Sequence, residues 1–115
     1  MKTRLILTFL CLLSLHTTKG NEPQGFPIIA DILPTELYDN VRFSDIRDAG
    51  FNAIMVWPKS RPNIYKALNV AETNGLKVLM FSVEIERRPE TIVPSIKDHP
   101  ALWQYILADE PKMKR

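Results

Sequence analysis

The chain has 115 residues, with 15 basic and 13 acidic side chains, a hydrophobic fraction of 45% and a charged fraction of 24%. That length gives room for one domain, and the composition is that of an ordinary globular protein. Disorder, a collagen-like fibre and a repeat array are excluded.

The first twenty residues differ from the rest. Lys2 and Arg4 make a basic start, Leu5 to Leu15 form a short apolar run, and small or polar residues follow from Thr17 to Gly20. This is the pattern of a secretory signal peptide over residues 1–20. The run is too short for a membrane span, which needs roughly 20 apolar residues. The segment holds three basic side chains (Lys2, Arg4, Lys19) and no acidic one, so the remainder carries 12 against 13, a net charge of −1. No electrostatic case remains for nucleic acid or an anionic lipid surface. Cys11, the only cysteine, belongs to the same segment. The rest of the chain therefore has no disulfide framework, thiolate metal site or thiol nucleophile. A secreted or periplasmic location is expected.

After a polar linker over residues 21–25 the chain alternates between apolar runs and amphipathic stretches. Phe26 to Leu33 reads as a first strand. Pro34 and Thr35 then open a helical stretch to Ala49, with a break expected near Phe43–Ser44 and Gly50 as its terminator. Phe51 to Trp57 is a second strand ended by Pro58. Ser60 and Pro62 are helix-start signals before Ile64, Ala67, Leu68 and Ala71, a helical stripe that Gly75 closes. Leu76 to Ile85 is a third apolar run, with Glu84 and Glu86 bracketing Ile85 at its end. Pro89 to Ala101 is a weaker helical segment containing Pro94. Leu102 to Ala108 is a fourth strand, followed directly by Asp109, Glu110 and Pro111.

Near-continuous apolar strands separated by helices imply an α/β fold with a parallel sheet, and right-handed crossovers place the helices on one face. No glycine-rich phosphate loop follows the first strand, so a dinucleotide fingerprint is absent. Acidic and aromatic residues collect instead at the C-terminal ends of strands, where barrel enzymes keep their chemistry. A partial (β/α)8 TIM barrel of about four strands is the expected architecture for residues 26–115.

Three segments carry a resemblance: Asp48-Ala49-Gly50-Phe51-Asn52-Ala53-Ile54, Ala71-Glu72-Thr73-Asn74-Gly75-Leu76-Lys77-Val78, and the run from His99 to Pro111 with its Asp109-Glu110-Pro111 ending. They resemble the second-, third- and fourth-strand segments of TIM-barrel glycoside hydrolases of the β-galactosidase-like group in clan A. The resemblance covers residues 26–111 and implies a general acid/base at Glu110. Asp109 stands where the family has an asparagine that hydrogen-bonds the substrate 2-hydroxyl; an aspartate accepts but does not donate. A second carboxylate beside Glu110 also acts to raise a pKa.

The resemblance implies a carbohydrate substrate, hydrolysis of O-glycosidic bonds, and no cofactor. Retaining hydrolysis needs two carboxylates about 5–5.5 Å apart. The family's nucleophile comes from a seventh strand, and no residue here matches it. The expected product is thus the N-terminal half of a barrel, read as truncated at Lys112-Met113-Lys114-Arg115. A homodimer or a separate second half are the other ways to complete it. Around Glu110 the candidate substrate-binding residues are Asp109, Asp31, Trp57, Glu84 and Glu86. Trp57 would stack on a sugar ring or fill the barrel mouth. Asp31 would bind a hydroxyl or cap a turn. Glu84 and Glu86 would contact substrate or solvate the rim. His99, before Pro100, is expected to be structural, and no cluster has metal-ligand spacing. A non-catalytic carbohydrate-binding or scaffold protein, or an inactive fragment, is the alternative.

Overall fold

A computed structural model of the chain describes residues 22–33, 35 and 38–107. The expected signal segment and the Asp109–Glu110 pair lie outside the described residues. Within them the elements run β1 (Ile29–Leu33), α1 (Asn40–Asp48), β2 (Ala53–Val56), α2 (Arg61–Thr73), β3 (Lys77–Phe81), α3 (Val83–Arg87), α4 (Pro89–Ile96) and β4 (Leu102–Ile106). The four strands make one all-parallel sheet in the order β1-β2-β3-β4. The α/β expectation therefore holds.

The register shows how the sheet meets its helices. Ala30 pairs with Ile54, Ile54 with Val78 and Val78 with Leu102, so one apolar row crosses all four strands. Side chains alternate faces along a strand, which puts Val56 and Met80 on the same side as that row. All six are buried in one cluster with Ile64, Ala67, Leu68 and Ala71 of α2 and Ile92 and Ile96 of α4. The α2 stripe read from the sequence is thus the buried face of that helix. Ala53 and Leu79 are also buried but project to the opposite face and lie outside the cluster. That second face continues with half-buried Met55, Phe81 and Ile106. The second face is apolar along β2 and the end of β3 and carries Lys77 and the exposed Gln104 beside them.

Two loops are built alike. After α1, Gly50 N–H bonds the Arg47 carbonyl and Phe51 N–H bonds Ile46; after α2, Gly75 N–H bonds Glu72 and Leu76 N–H bonds Ala71. Each is a Schellman closure with glycine at positive φ, 102° and 68°, followed by an apolar residue. The pair delivers β2 and β3 at equivalent heights, so Ala53 meets Lys77 in register.

The sequence reading needs four corrections of extent. The first strand begins at Ile29, leaving Phe26 85% exposed before it. The first helix starts at Asn40 because the Asp39 carboxylate caps it by accepting the Arg42 N–H at 2.8 Å, and it runs unbroken through buried Phe43. The third apolar run stops as a strand at Phe81. Ser82 then caps α3 by accepting the Glu84 N–H, so Glu84 and Glu86 sit on a helical turn, where acidic side chains suit the N-terminal dipole. The last helical segment, α4, ends at Ile96 rather than Ala101, and Pro94 lies inside it on its exposed side, where the Glu90 carbonyl it leaves without a helical partner can meet water.

Both outer strands, β1 and β4, slip by one residue against their neighbours. Asp31 and Ile32 together oppose Met55, and Trp103 is the extra residue between Leu102 and Gln104. Such irregularities increase local twist and are common at sheet edges.

Tyr105, half-buried on β4, packs against the core cluster, yet its hydroxyl oxygen is buried without a hydrogen-bond partner among the described residues. Burial, and secondly the Asp98 carboxylate, hold its pKa above the ordinary tyrosine value. A raised acid pKa in the folded state means the fold favours the protonated phenol. Its contribution is complete below pH of about 10 and is lost as pH rises through the raised value. Tyr105→Phe is expected to leave unfolding free energy unchanged or raise it by up to about 1 kcal/mol, and to remove part of the alkaline loss. Urea unfolding at neutral and alkaline pH measures both. A loss above about 1 kcal/mol at neutral pH would mean that the hydroxyl is bonded.

Candidate functional site

The C-terminal ends of β2 and β3 carry an aromatic and polar rim. Trp57 follows β2 and remains 37% exposed. Its ring meets Phe81, the last residue of β3, edge to face, with centroids 4.7 Å apart and planes at 79°. That geometry suits the quadrupoles of both rings. The backbone beneath is tied on two sides. Trp57 N–H donates to the Tyr38 hydroxyl at 3.0 Å, and the Ser82 hydroxyl donates to the Pro58 carbonyl at 3.0 Å.

Tyr38 and Ser82 are themselves fixed. Tyr38 is fully buried and packs edge-on against Phe43 of α1, centroids 6.1 Å apart. Ser82 is 1% exposed and its oxygen also accepts the Glu84 N–H at 3.3 Å. One hydroxyl therefore joins the β2 loop to the first turn of α3. Glu84 is half-buried and Glu86 exposed.

The sequence-derived candidates distribute unevenly over this rim. Trp57 and Glu84 are brought onto adjoining segments through Ser82. Glu86 lies further along α3 and faces solvent, and Asp31 is exposed on β1 at the slipped position opposite Met55. Asp109 and Glu110 lie outside the described residues. Tyr38 and Ser82 escaped the sequence reading. Their bonds join segments 19 and 24 residues apart, and periodicity does not register them. The Ser82–Val83–Glu84 step from apolar run to acid was the one available signal, because serine before acidic residues marks a helix start.

The opposite end of the sheet holds a cavity of about 370 Å³ lined by Pro23, Gln24, Asn52, Glu72, Lys77 and Pro100, among others. Its polar groups are engaged in holding the chain together. Asn52 donates from its amide nitrogen to the Gln24 and Phe26 carbonyls at 3.0 and 2.9 Å and accepts the Ile28 N–H at 2.8 Å. Lys77 Nζ reaches the Pro100 carbonyl at 2.6 Å. His99 Nδ1 accepts the Ala101 N–H at 3.1 Å, which leaves Nε2–H to donate to Asn69 at 3.0 Å, with Glu72 at 3.5 Å. We read this cavity as structural and the rim as the functional candidate.

Among the described residues no group of three histidine, cysteine or acidic side chains could hold a metal ion. No helix there is long and apolar enough to cross a membrane. Comparison with protein-family models, curated proteins and solved structures finds no match to this chain.

Asn52→Ala removes three bonds to the segment preceding β1 and is expected to lower unfolding free energy by about 1–3 kcal/mol. A denaturation midpoint unchanged from the parent would show that the segment is held by other contacts.

Proposed function

We propose that this chain forms the first four strands of a glycoside-hydrolase-like (β/α)8 barrel, exported by residues 1–20, that acts on β-linked carbohydrate. The observation that carries the reading is the sequential strand order β1-β2-β3-β4 in an all-parallel sheet. An open doubly wound sheet reverses its order at a switch point and places helices on both faces. A sheet that never reverses keeps its crossovers on one side, and its other face becomes the interior of a barrel when further strands close it. Ala53, Met55, Leu79, Phe81 and Ile106 occupy that position here.

The chemistry follows from the placement of acids and aromatics at strand ends. Trp57 offers a π surface to the C–H face of a pyranose. Glu84 is a carboxylate acceptor for sugar hydroxyls. By the resemblance, Glu110 would be the acid/base that protonates the departing glycosidic oxygen, and Asp109 the residue that meets the substrate 2-hydroxyl. Double displacement requires a second carboxylate about 5–5.5 Å away, contributed by strands that would complete the barrel. A non-catalytic carbohydrate-binding role is the second reading, and the fixed Trp57–Phe81 pair favours it, since stacking needs no acid/base partner.

Incubation of the full chain with p-nitrophenyl β-D-galactopyranoside, under conditions where a second copy would have to close the barrel and supply the second carboxylate, separates the two. Hydrolysis abolished in Glu110→Gln supports the enzyme. Binding without turnover, weakened about 3–10-fold by Trp57→Ala through loss of stacking, supports the binding protein. If the chain neither binds nor cleaves this glycoside, β-galactoside recognition is refuted.

A further inference from the structure

We infer that Ser82 is a positioning residue that couples Trp57 to Glu84, with Tyr38 holding the other side of the same turn, so that the two ligand-facing residues act as one preformed surface. The surface suits a pyranose whose apolar face lies on Trp57 and whose hydroxyl reaches the Glu84 carboxylate. The ligand half of this inference depends on the carbohydrate reading above; the coupling does not.

A serine hydroxyl has one donor and two acceptor sites, and both kinds are in use here. The proton goes to the Pro58 carbonyl at 3.0 Å, and the oxygen takes the Glu84 N–H at 3.3 Å. Ser82 is 1% exposed, so water does not readily replace either bond. Pro58 is fully buried beside it and, as a proline, fixes φ immediately after Trp57. On the preceding residue the Tyr38 hydroxyl accepts the Trp57 N–H, and Phe81 supports the indole from the side. Trp57 is thus gripped at its amide, at its ring and at the next carbonyl. Trp57 nevertheless stays 37% exposed.

The coupling is reciprocal. Losing the Ser82 hydroxyl uncaps α3 at the turn that bears Glu84 and releases the Pro58 carbonyl in the same step. A purely local cap would affect α3 alone. A purely local loop tie would affect Trp57 alone.

The test uses the full chain carrying Trp103→Phe, which leaves Trp57 as the only tryptophan of the two. Acrylamide quenching and steady-state anisotropy then report on Trp57 directly. Ser82→Ala is expected to raise the quenching constant about twofold and lower the anisotropy, with Ser82→Thr, which keeps a hydroxyl, restoring both. Tyr38→Phe keeps the ring on Phe43 and deletes the acceptor for Trp57 N–H; it is expected to act in the same direction and carries the test if Ser82→Ala fails to fold. Trp57 emission unchanged in the folded variants would overturn the coupling. Methyl β-D-galactopyranoside is then titrated into the same proteins. Affinity reduced several-fold by Ser82→Ala, with recovery in Ser82→Thr, supports a preformed sugar surface. No response of the parent to this glycoside, alongside a freed Trp57 in Ser82→Ala, overturns the sugar reading while the coupling stands.

Discussion

The row Ala30–Ile54–Val78–Leu102, running across four parallel strands onto α2 and α4, is the contact on which the remaining geometry depends. Parallel strands cannot be joined by tight hairpins, so each must be returned by a helix that packs back on the sheet. Ile64, Ala67, Leu68 and Ala71 supply that packing, and burial of each larger aliphatic side chain contributes about 1.5–3 kcal/mol. Because the order never reverses, one face of the sheet is served by helices and the other keeps its own apolar side chains. The same arrangement lines up the C-terminal ends of the strands, so that Trp57, Phe81 and Ser82 meet at one rim.

The two ends of the sheet divide their roles. At the N-terminal end polar groups are spent on the chain itself: Asn52 fastens the segment before β1, Lys77 fastens Pro100, and His99 steadies the start of β4. At the C-terminal end the buried hydroxyls of Tyr38 and Ser82 hold an aromatic side chain that stays partly in solvent. Conformational freedom is thereby removed before any ligand arrives, which reduces the ordering cost of binding.

Much of the fold was legible because it rests on local patterns. The α2 stripe, the glycines that close α1 and α2, and the apolar strands follow from periodicity and from glycine's tolerance of positive φ. The end of β3 was not legible. Leu76 to Ile85 is apolar nearly throughout, and the Glu84 N–H bond to the Ser82 hydroxyl, with the Ile85 and Glu86 N–H bonds to the Ser82 carbonyl, marks the helix that begins at Val83. The start of α1 was obscured in the same way, since Asp39 as cap outweighs the helix-start reading of Pro34 and Thr35. At the rim, Trp57 and Glu84 stood out by residue type and place. The pair that fixes them did not, because a tyrosine and a serine in apolar surroundings read as filler until their partners are known.

The most direct measurement is a backbone amide shift map of the isotopically labelled full chain during titration with methyl β-D-galactopyranoside. The expected result is a cluster of perturbed amides at Trp57, Ser82 and Glu84, with Gln24, Asn52, Lys77 and Ala101 unmoved. Perturbation centred on the second group would place recognition in the N-terminal cavity. That outcome would contradict the assignment of function to the C-terminal rim.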